Sequence, residues 1–251
     1  MQDSRRILDM IKAEISPLHE ALFKRYIRSL LKKHFNAIRL LGDKPDFGDR
    51  PILLLPNHST WWDGFFIHIL KIQVLKRPGY LMMLEEQLAK NRFFANVGAY
   101  SINPTSAKEN IRSLNYSVEL LERPDHPFVC IFPQGVLSPW GVRPLGYRRG
   151  IDIILRKLSK PVNLCQLAMK CEYLAGQRAD VFFQFGKNSV FEPGNVVDVQ
   201  ELEQSHEHLL HEMNLRIIGG EKGRLILAGK RSINESFEIL RKKLGLLRGQ
   251  K

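Results

Sequence analysis

The chain has 251 residues, 44% of them hydrophobic, with 38 Lys and Arg against 26 Asp and Glu and a formal net charge of +12. That length suits one large α/β domain with a small helical appendage, and the apolar fraction excludes an intrinsically disordered chain. A pI near 9.7 favours a polyanionic partner, either nucleic acid or an anionic lipid surface.

In chain order, residues 5–15 read as a first short helix that closes near Pro17. Residues 18–41 read as a longer one, with Leu18, Leu22, Phe23 or Tyr26, Ile27, Leu30, Leu31, Phe35 and Ile38 recurring at three and four. Its charge is one-sided: Lys24, Arg25, Arg28, Lys32, Lys33 and Arg39 occur between Ala21 and Leu41 without an acid. A loop, GDKPDFGDRP, leads into a strand at 52–55 and a helix from about Trp62 to Val74. A strand at 80–84, a short helical piece through Phe94 and a helix at about 105–121 follow. PFVCIFP reads as a buried strand, with a helix at 150–158 after it. VNLCQLAMK and DVFFQFG are two more strands. Residues 199–217 and 232–245 read as helices, the second opening on the capping box Ser232-x-x-Glu235. The alternation predicts an α/β fold with a mostly parallel sheet flanked by helices, preceded by an N-terminal amphipathic helical pair. Functional sites in such folds lie at the carboxyl ends of strands.

One of those ends carries His58 and, five residues on, Asp63. Residues five apart on a helix are about 500° round, hence roughly 140° out of register. On one strand they point to opposite faces. They meet only if the chain turns between them, and Pro56 and Asn57 supply a break. With His58 on the loop and Asp63 opening the next helix, the carboxylate reaches back to one ring nitrogen and fixes the tautomer. That is the arrangement of a general base acting on a hydroxyl, with its orienting partner. A surface histidine beside an N-capping aspartate is the plainer alternative. Trp61 and Trp62 next to them suit either packing or an apolar substrate. A second segment, IFPQGVLSPWGVRPLGYRRG (131–150), leaves another buried strand through a Pro-Gly turn into a basic loop. It is expected at the same sheet edge as His58.

Together the two segments resemble the glycerolipid and lysophosphatidic acid acyltransferase (PlsC-like) superfamily. The family's N-H-x-x-x-x-D stands here as Asn57 to Asp63, and its F-P-E-G-T-R-S as Phe132-Pro133-Gln134-Gly135-Val136-Leu137-Ser138. A following F-K-x-G is similar to Tyr147-Arg148-Arg149-Gly150. The resemblance implies that His58 takes the proton of an acceptor hydroxyl, that Asp63 orients it, and that the hydroxyl attacks an acyl thioester on coenzyme A or acyl carrier protein. Asn57, Trp61, Trp62, Pro133, Gln134 and Gly135 are then expected to line the substrate site, with Arg143, Arg148 and Arg149 as phosphate ligands or as a solvated loop.

The departures carry information. The acidic residue of the second motif is Gln134, its arginine is Leu137, the arginine expected after GAYSIN is Pro104, and the proline of the later strand is Gln166. Two lost arginines are two lost bidentate phosphate donors. The acceptor is therefore expected not to be a simple glycerol phosphate. An ordinary lysophospholipid acyltransferase with a rebuilt phosphate site, and a catalytically silent lipid-binding relative, remain as alternatives.

Residues 1–45 are expected to form membrane-apposed amphipathic helices, with Lys24, Arg25, Arg28, Lys32 and Lys33 facing anionic lipid, and 46–251 the α/β acyltransferase domain. The expected partners are an anionic membrane surface, a lipid acceptor and acyl carrier protein if that is the donor. Nucleic acid is not expected, since zinc-finger spacing and aromatic RNA-binding motifs are missing. No permanently bound cofactor or metal is expected. SHEHLLHEMN is not H-E-x-x-H, because position 210 is Leu. Cys130, Cys165 and Cys171 match no zinc spacing and read as reduced core residues. The start of the chain shows no secretory apolar region, and no window approaches the roughly 18 apolar residues of a spanning helix. The expected location is cytoplasmic, peripheral on the inner face of a membrane.

Overall fold

The computed structural model describes residues 10–230 and residue 241. The strands are β1 (Ala37–Leu41), β2 (Ile52–Pro56), β3 (Gly79–Leu84), β4 (Ala99–Ile102), β5 (Phe128–Cys130), β6 (Val162–Glu172), β7 (Asp180–Phe185), β8 (Ser189–Phe191) and β9 (Arg224–Ala228). The α-helices are α1 (Pro17–His34), α2 (Asp63–Leu70), α3 (Glu85–Lys90), α4 (Ala107–Leu121), α5 (Gly150–Leu155) and α6 (Val199–Ile218). The strands form one sheet in the order β4-β3-β5-β2-β6-β7-β1-β9, with β8 paired to β6. Pairing is parallel from β4 through β3, β5 and β2 to β6, and again between β7 and β1. It is antiparallel for β6 with β7, β6 with β8 and β1 with β9. The sheet is thus mostly parallel and flanked by helices, as the alternation predicts.

β2 lies between β5 and β6 and is buried along its whole length, which explains why it is aliphatic throughout rather than alternating. Ile52 and Leu54 face a core shared with Phe23, Ile27 and Leu31 of α1 and Phe66, Ile67 and Leu70 of α2. Leu53 and Leu55 face the opposite core, against Leu114 and Val118 of α4 and Ile151 and Ile154 of α5. α6 closes a third cluster through Leu209, Leu210 and Met213 against Ala168 of β6 and Phe182 of β7. α1 starts with Pro17 after Ser16, where the ring's fixed φ suits the first helical turn. Asp198 caps α6 by accepting from Gln200 N at 2.8 Å.

The N-terminal expectations need correction. Residues 10–15 are extended, not helical: Ile11 exchanges bonds with Ser101 of β4, and Glu14 N donates to the Ala95 carbonyl. Residues 5–9 lie outside the described residues; among the described residues α1 is the one amphipathic helix ahead of the sheet. That helix ends at His34, and residues 37–41 are β1, which β7 and β9 bracket. The strand lies N-terminal to the expected boundary at residue 45, yet its hydrogen bonds belong to the sheet. β4, β8 and β9 were not foreseen, being three to five residues long. The helix expected at 232–245 lies outside the described residues apart from residue 241.

Candidate active site

β2 and β5 are parallel neighbours, with Ile52 opposite Phe128 and Leu54 opposite Cys130. Ile131 N still bonds to the Leu54 carbonyl at 3.0 Å, so the two chains leave the sheet side by side. Four residues beyond the Leu54–Cys130 pair, His58 meets Gln134: the His58 N–H donates to Gln134 Oε1 at 2.6 Å. Ser138 N donates to the His58 carbonyl at 2.9 Å, so both backbone groups of the histidine are held by the second segment. The imidazole stacks on Phe132, centroids 4.0 Å apart and planes 19° from parallel.

His58 Nδ1 lies 2.8 Å from Asp63 Oδ2. The same oxygen accepts from Ser59 N at 2.7 Å and Thr60 N at 2.9 Å, and Asp63 Oδ1 accepts from the Thr60 hydroxyl at 2.6 Å. Three donors other than the imidazole converge on this buried carboxylate. All three are donors, so the carboxylate acts as the acceptor, Nδ1 carries the proton that faces it, and Nε2 presents a lone pair. Nε2 forms no hydrogen bond among the described residues. The histidine side chain keeps 24% of its exposure while Asp63 keeps 3%, so the imidazole is the accessible member of the pair and the carboxylate the buried one.

Other expected site residues fall into different roles. Asn57 is buried, and its carboxamide spans to β6, accepting from Met169 N at 2.7 Å and donating to the Met169 carbonyl at 3.0 Å. It joins strand ends rather than facing a substrate. Gln134 is buried and its acceptor oxygen is spent on His58, which leaves its NH₂ alone free of bonds among the described residues. Pro133 is buried, and its carbonyl accepts from Arg148 N at 2.9 Å. Gly135 turns the chain at φ +67, and a Cβ there would stand 2.7 Å from Arg148 Nε. Trp62 packs on Phe35 and His34 at the end of α1, so it belongs to the core edge. Trp61 is 68% exposed beside Phe65, their centroids 4.9 Å apart.

The three arginines are exposed but not equivalent. Arg148 Nε donates to the Gln134 carbonyl at 3.1 Å, Arg143 bonds the Val142 carbonyl at 2.7 Å, and Arg149 precedes α5. Arg148 is therefore partly committed to the protein, whereas the Arg149 side chain makes no hydrogen bond among the described residues. Pattern reading missed Ser59, Thr60, Phe132 and Ser138. Thr60 lies within the first motif and Phe132 opens the second, so adjacency was the available signal.

Lys24, Arg25 and Lys33 are exposed on α1, and Arg28 and Lys32 are half-buried. The apolar stripe read from 18–41 divides in two. Phe23, Ile27 and Leu31 are buried, while Leu18, Leu22 and Tyr26 stand exposed at intervals of four. Glu20 pairs with Lys71 and tethers the start of the helix. Among the described residues no helix is long and apolar enough to cross a membrane, and no group of three or more His, Cys, Asp or Glu is placed to hold a metal. Cys130 and Cys165 are buried, and burial pushes the Cys165 and Cys171 thiols up to about 12, which leaves them inert.

A histidine held by a carboxylate at the carboxyl end of a parallel strand, stacked under a neighbouring strand exit, defines the PlsC-like class of acyltransferases. The chain belongs to that family: the model described as Acyltransferase matches residues 24–162. Among solved structures it is similar to the 1-acyl-sn-glycerophosphate (LPA) acyltransferase PlsC from Thermotoga maritima. The identity is 17% and the TM-score 0.53, over 80% of this chain and 78% of that one. No curated protein sequence matches significantly.

Proposed function

We propose that the protein moves a fatty acyl group from an acyl thioester, on coenzyme A or acyl carrier protein, to the hydroxyl of a lipid acceptor. The observation that carries this reading is the 2.8 Å contact between His58 Nδ1 and the buried Asp63, which leaves Nε2 unbonded on the accessible side. The acceptor hydroxyl gives its proton to Nε2 as its oxygen attacks the thioester carbon. Asp63 stabilises the imidazolium that forms. When the tetrahedral intermediate collapses, the C–S bond breaks and the thiol leaves with the proton from Nε2. Neither a metal nor a prosthetic group is invoked.

The preferred acceptor is an uncharged hydroxyl rather than a glycerol phosphate. Leu137 is exposed where the family pattern has an arginine, Pro104 stands at the second arginine position, and Arg148 is bonded to the Gln134 carbonyl. The enzyme works at an anionic membrane surface, which Leu18, Leu22 and Tyr26 enter while Lys24, Arg25, Arg28, Lys32 and Lys33 face the headgroups. Exposed Trp61 places an indole on the loop that carries His58. The test is incubation with labelled acyl-CoA or acyl carrier protein and a total membrane lipid extract, followed by identification of the product. A labelled neutral lipid ester that His58→Ala does not make supports the reading. Labelled phosphatidic acid, lost in Arg149→Ala, replaces the acceptor by a lysophosphatidic acid. Equal turnover by His58→Ala overturns the mechanism.

A further inference from the structure

Helix α6 lies outside the stretch that the family model matches, yet it grips the loop that follows the second motif. Three consecutive backbone N–H groups point at two of its glutamates. Leu145 N donates to Glu207 Oε1 at 2.8 Å, Gly146 N to Glu203 Oε1 at 2.6 Å, and Tyr147 N to Glu203 Oε2 at 3.3 Å. Gly146 sits at φ +77, a backbone turn that gathers such N–H groups around one anion. The Tyr147 hydroxyl reaches the same helix, 2.6 Å from His206 Nδ1. His206 Nε2 lies 3.2 Å from the Leu167 carbonyl, which only accepts, so Nε2 carries the proton and Tyr147 donates to Nδ1. Complete burial suits this neutral ring, with its pKa lowered to about 4. Gln166 of β6 adds a bond from its side chain to the Leu202 carbonyl.

The next residue in the loop is Arg148, and it carries the constraint onward. Its N–H holds the Pro133 carbonyl at 2.9 Å and its Nε the Gln134 carbonyl at 3.1 Å. Gln134 in turn holds the His58 N–H at 2.6 Å. From these contacts we infer that Glu203, Glu207, Tyr147 and His206 are positioning residues for the base: α6 clamps the loop so that Gln134 presents His58 at a fixed height above the strand ends. The inference rests on His58 being the base. Misplacing a reacting group by about 1 Å costs on the order of 10²-fold in rate, so a clamp three bonds away has a measurable effect on turnover.

The experiment is a double-mutant cycle on purified full-length enzyme, with the thiol-release rate as readout. Glu203→Ala is expected to lower kcat about 10- to 100-fold, leaving both KM values and the melting temperature near wild type. Glu203→Gln, which keeps one acceptor oxygen, recovers most of the loss. In a Gln134→Ala background, Glu203→Ala has no further effect on kcat, because the path to His58 is already cut. Gln204→Ala, on the exposed side of α6, serves as the control. If Glu203→Ala does not fold, Tyr147→Phe replaces it in the cycle and removes a single hydroxyl. An unchanged kcat, or losses that multiply in the double variant, overturns the clamp. Unimpaired turnover by His58→Ala instead overturns the assignment of the base.

Discussion

Replacing Asp63 by Asn isolates the electrostatic part of the proposed mechanism. Asparagine keeps an oxygen for the Nδ1–H and for the Ser59 and Thr60 amides, and its NH₂ meets the Thr60 hydroxyl, which can accept. The shape of the site therefore survives and the negative charge is lost. With Nδ1 and Oδ2 2.8 Å apart, the centres of charge in the imidazolium–carboxylate pair are about 4 Å apart. At an effective dielectric near 20 the attraction is about 4 kcal/mol, present once the imidazolium has formed and absent in the neutral ground state. At about 1.4 kcal/mol per decade this predicts a loss of roughly 10³ in kcat with KM nearly unchanged. The assay is steady-state thiol release with saturating acyl donor, accompanied by circular dichroism and a melting curve to show that the fold persists. Turnover within about threefold of wild type, in a folded Asp63→Asn protein, would refute the view that Asp63 stabilises a positive His58 during the reaction. Thr60→Val removes one hydroxyl donor to the carboxylate, along with the acceptor for Trp62 N, and is expected to cost about tenfold.

The remaining predictions concern the surroundings of the site. Replacing exposed Leu18, Leu22 and Tyr26 by Ser should cut sedimentation with anionic vesicles at least tenfold without affecting the fold, since these side chains lie outside the core that Phe23, Ile27 and Leu31 build. Reversing Lys24, Arg25, Arg28, Lys32 and Lys33 to Glu should weaken the same binding further and invert its salt dependence, because salt then screens a repulsion where it had screened an attraction of about 1 kcal/mol per cation near the surface. Gly135→Ala forces a Cβ to within 2.8 Å of Arg148 Cδ in a left-handed turn, so about 1–2 kcal/mol of stability and part of the activity should be lost together, as read by melting curves and thiol release. His68 and His206 are buried with pKa values lowered to about 3 and about 4, His68 by burial and then the Lys71 charge, His206 chiefly by burial. The unfolded chain binds protons at these sites from about pH 6.5 downward while the fold does not. Stability is therefore full above pH 6.5 and falls progressively toward pH 4, which denaturant titrations across that range measure.

The pairing of His58 with Asp63 was legible because it is local. A strand end, a Pro-Asn break and a helix start lie within twelve residues, and only a turn lets the two side chains meet. The alternation of aliphatic strands and amphipathic helices was legible for the same reason, and the burial of β2 on both faces agrees with its unbroken aliphatic run. Residues 37–41 were not legible. AIRLL continues the apolar spacing of α1, and it becomes a strand because β7 and β9, some 140 and 190 residues further along, offer it backbone partners on both sides. Residues 10–15 are drawn out in the same way by β4 and the turn before it. At the site, Asn57, Gln134 and Trp62 have side chains that suit substrate binding, and the tertiary structure turns each of them inward, onto Met169, the His58 amide and the end of α1. The physical reason is common to all of these. Hydrophobic period and turn chemistry are written within a few residues, whereas which donor meets which acceptor depends on sheet register, and register is settled only when distant strands pair.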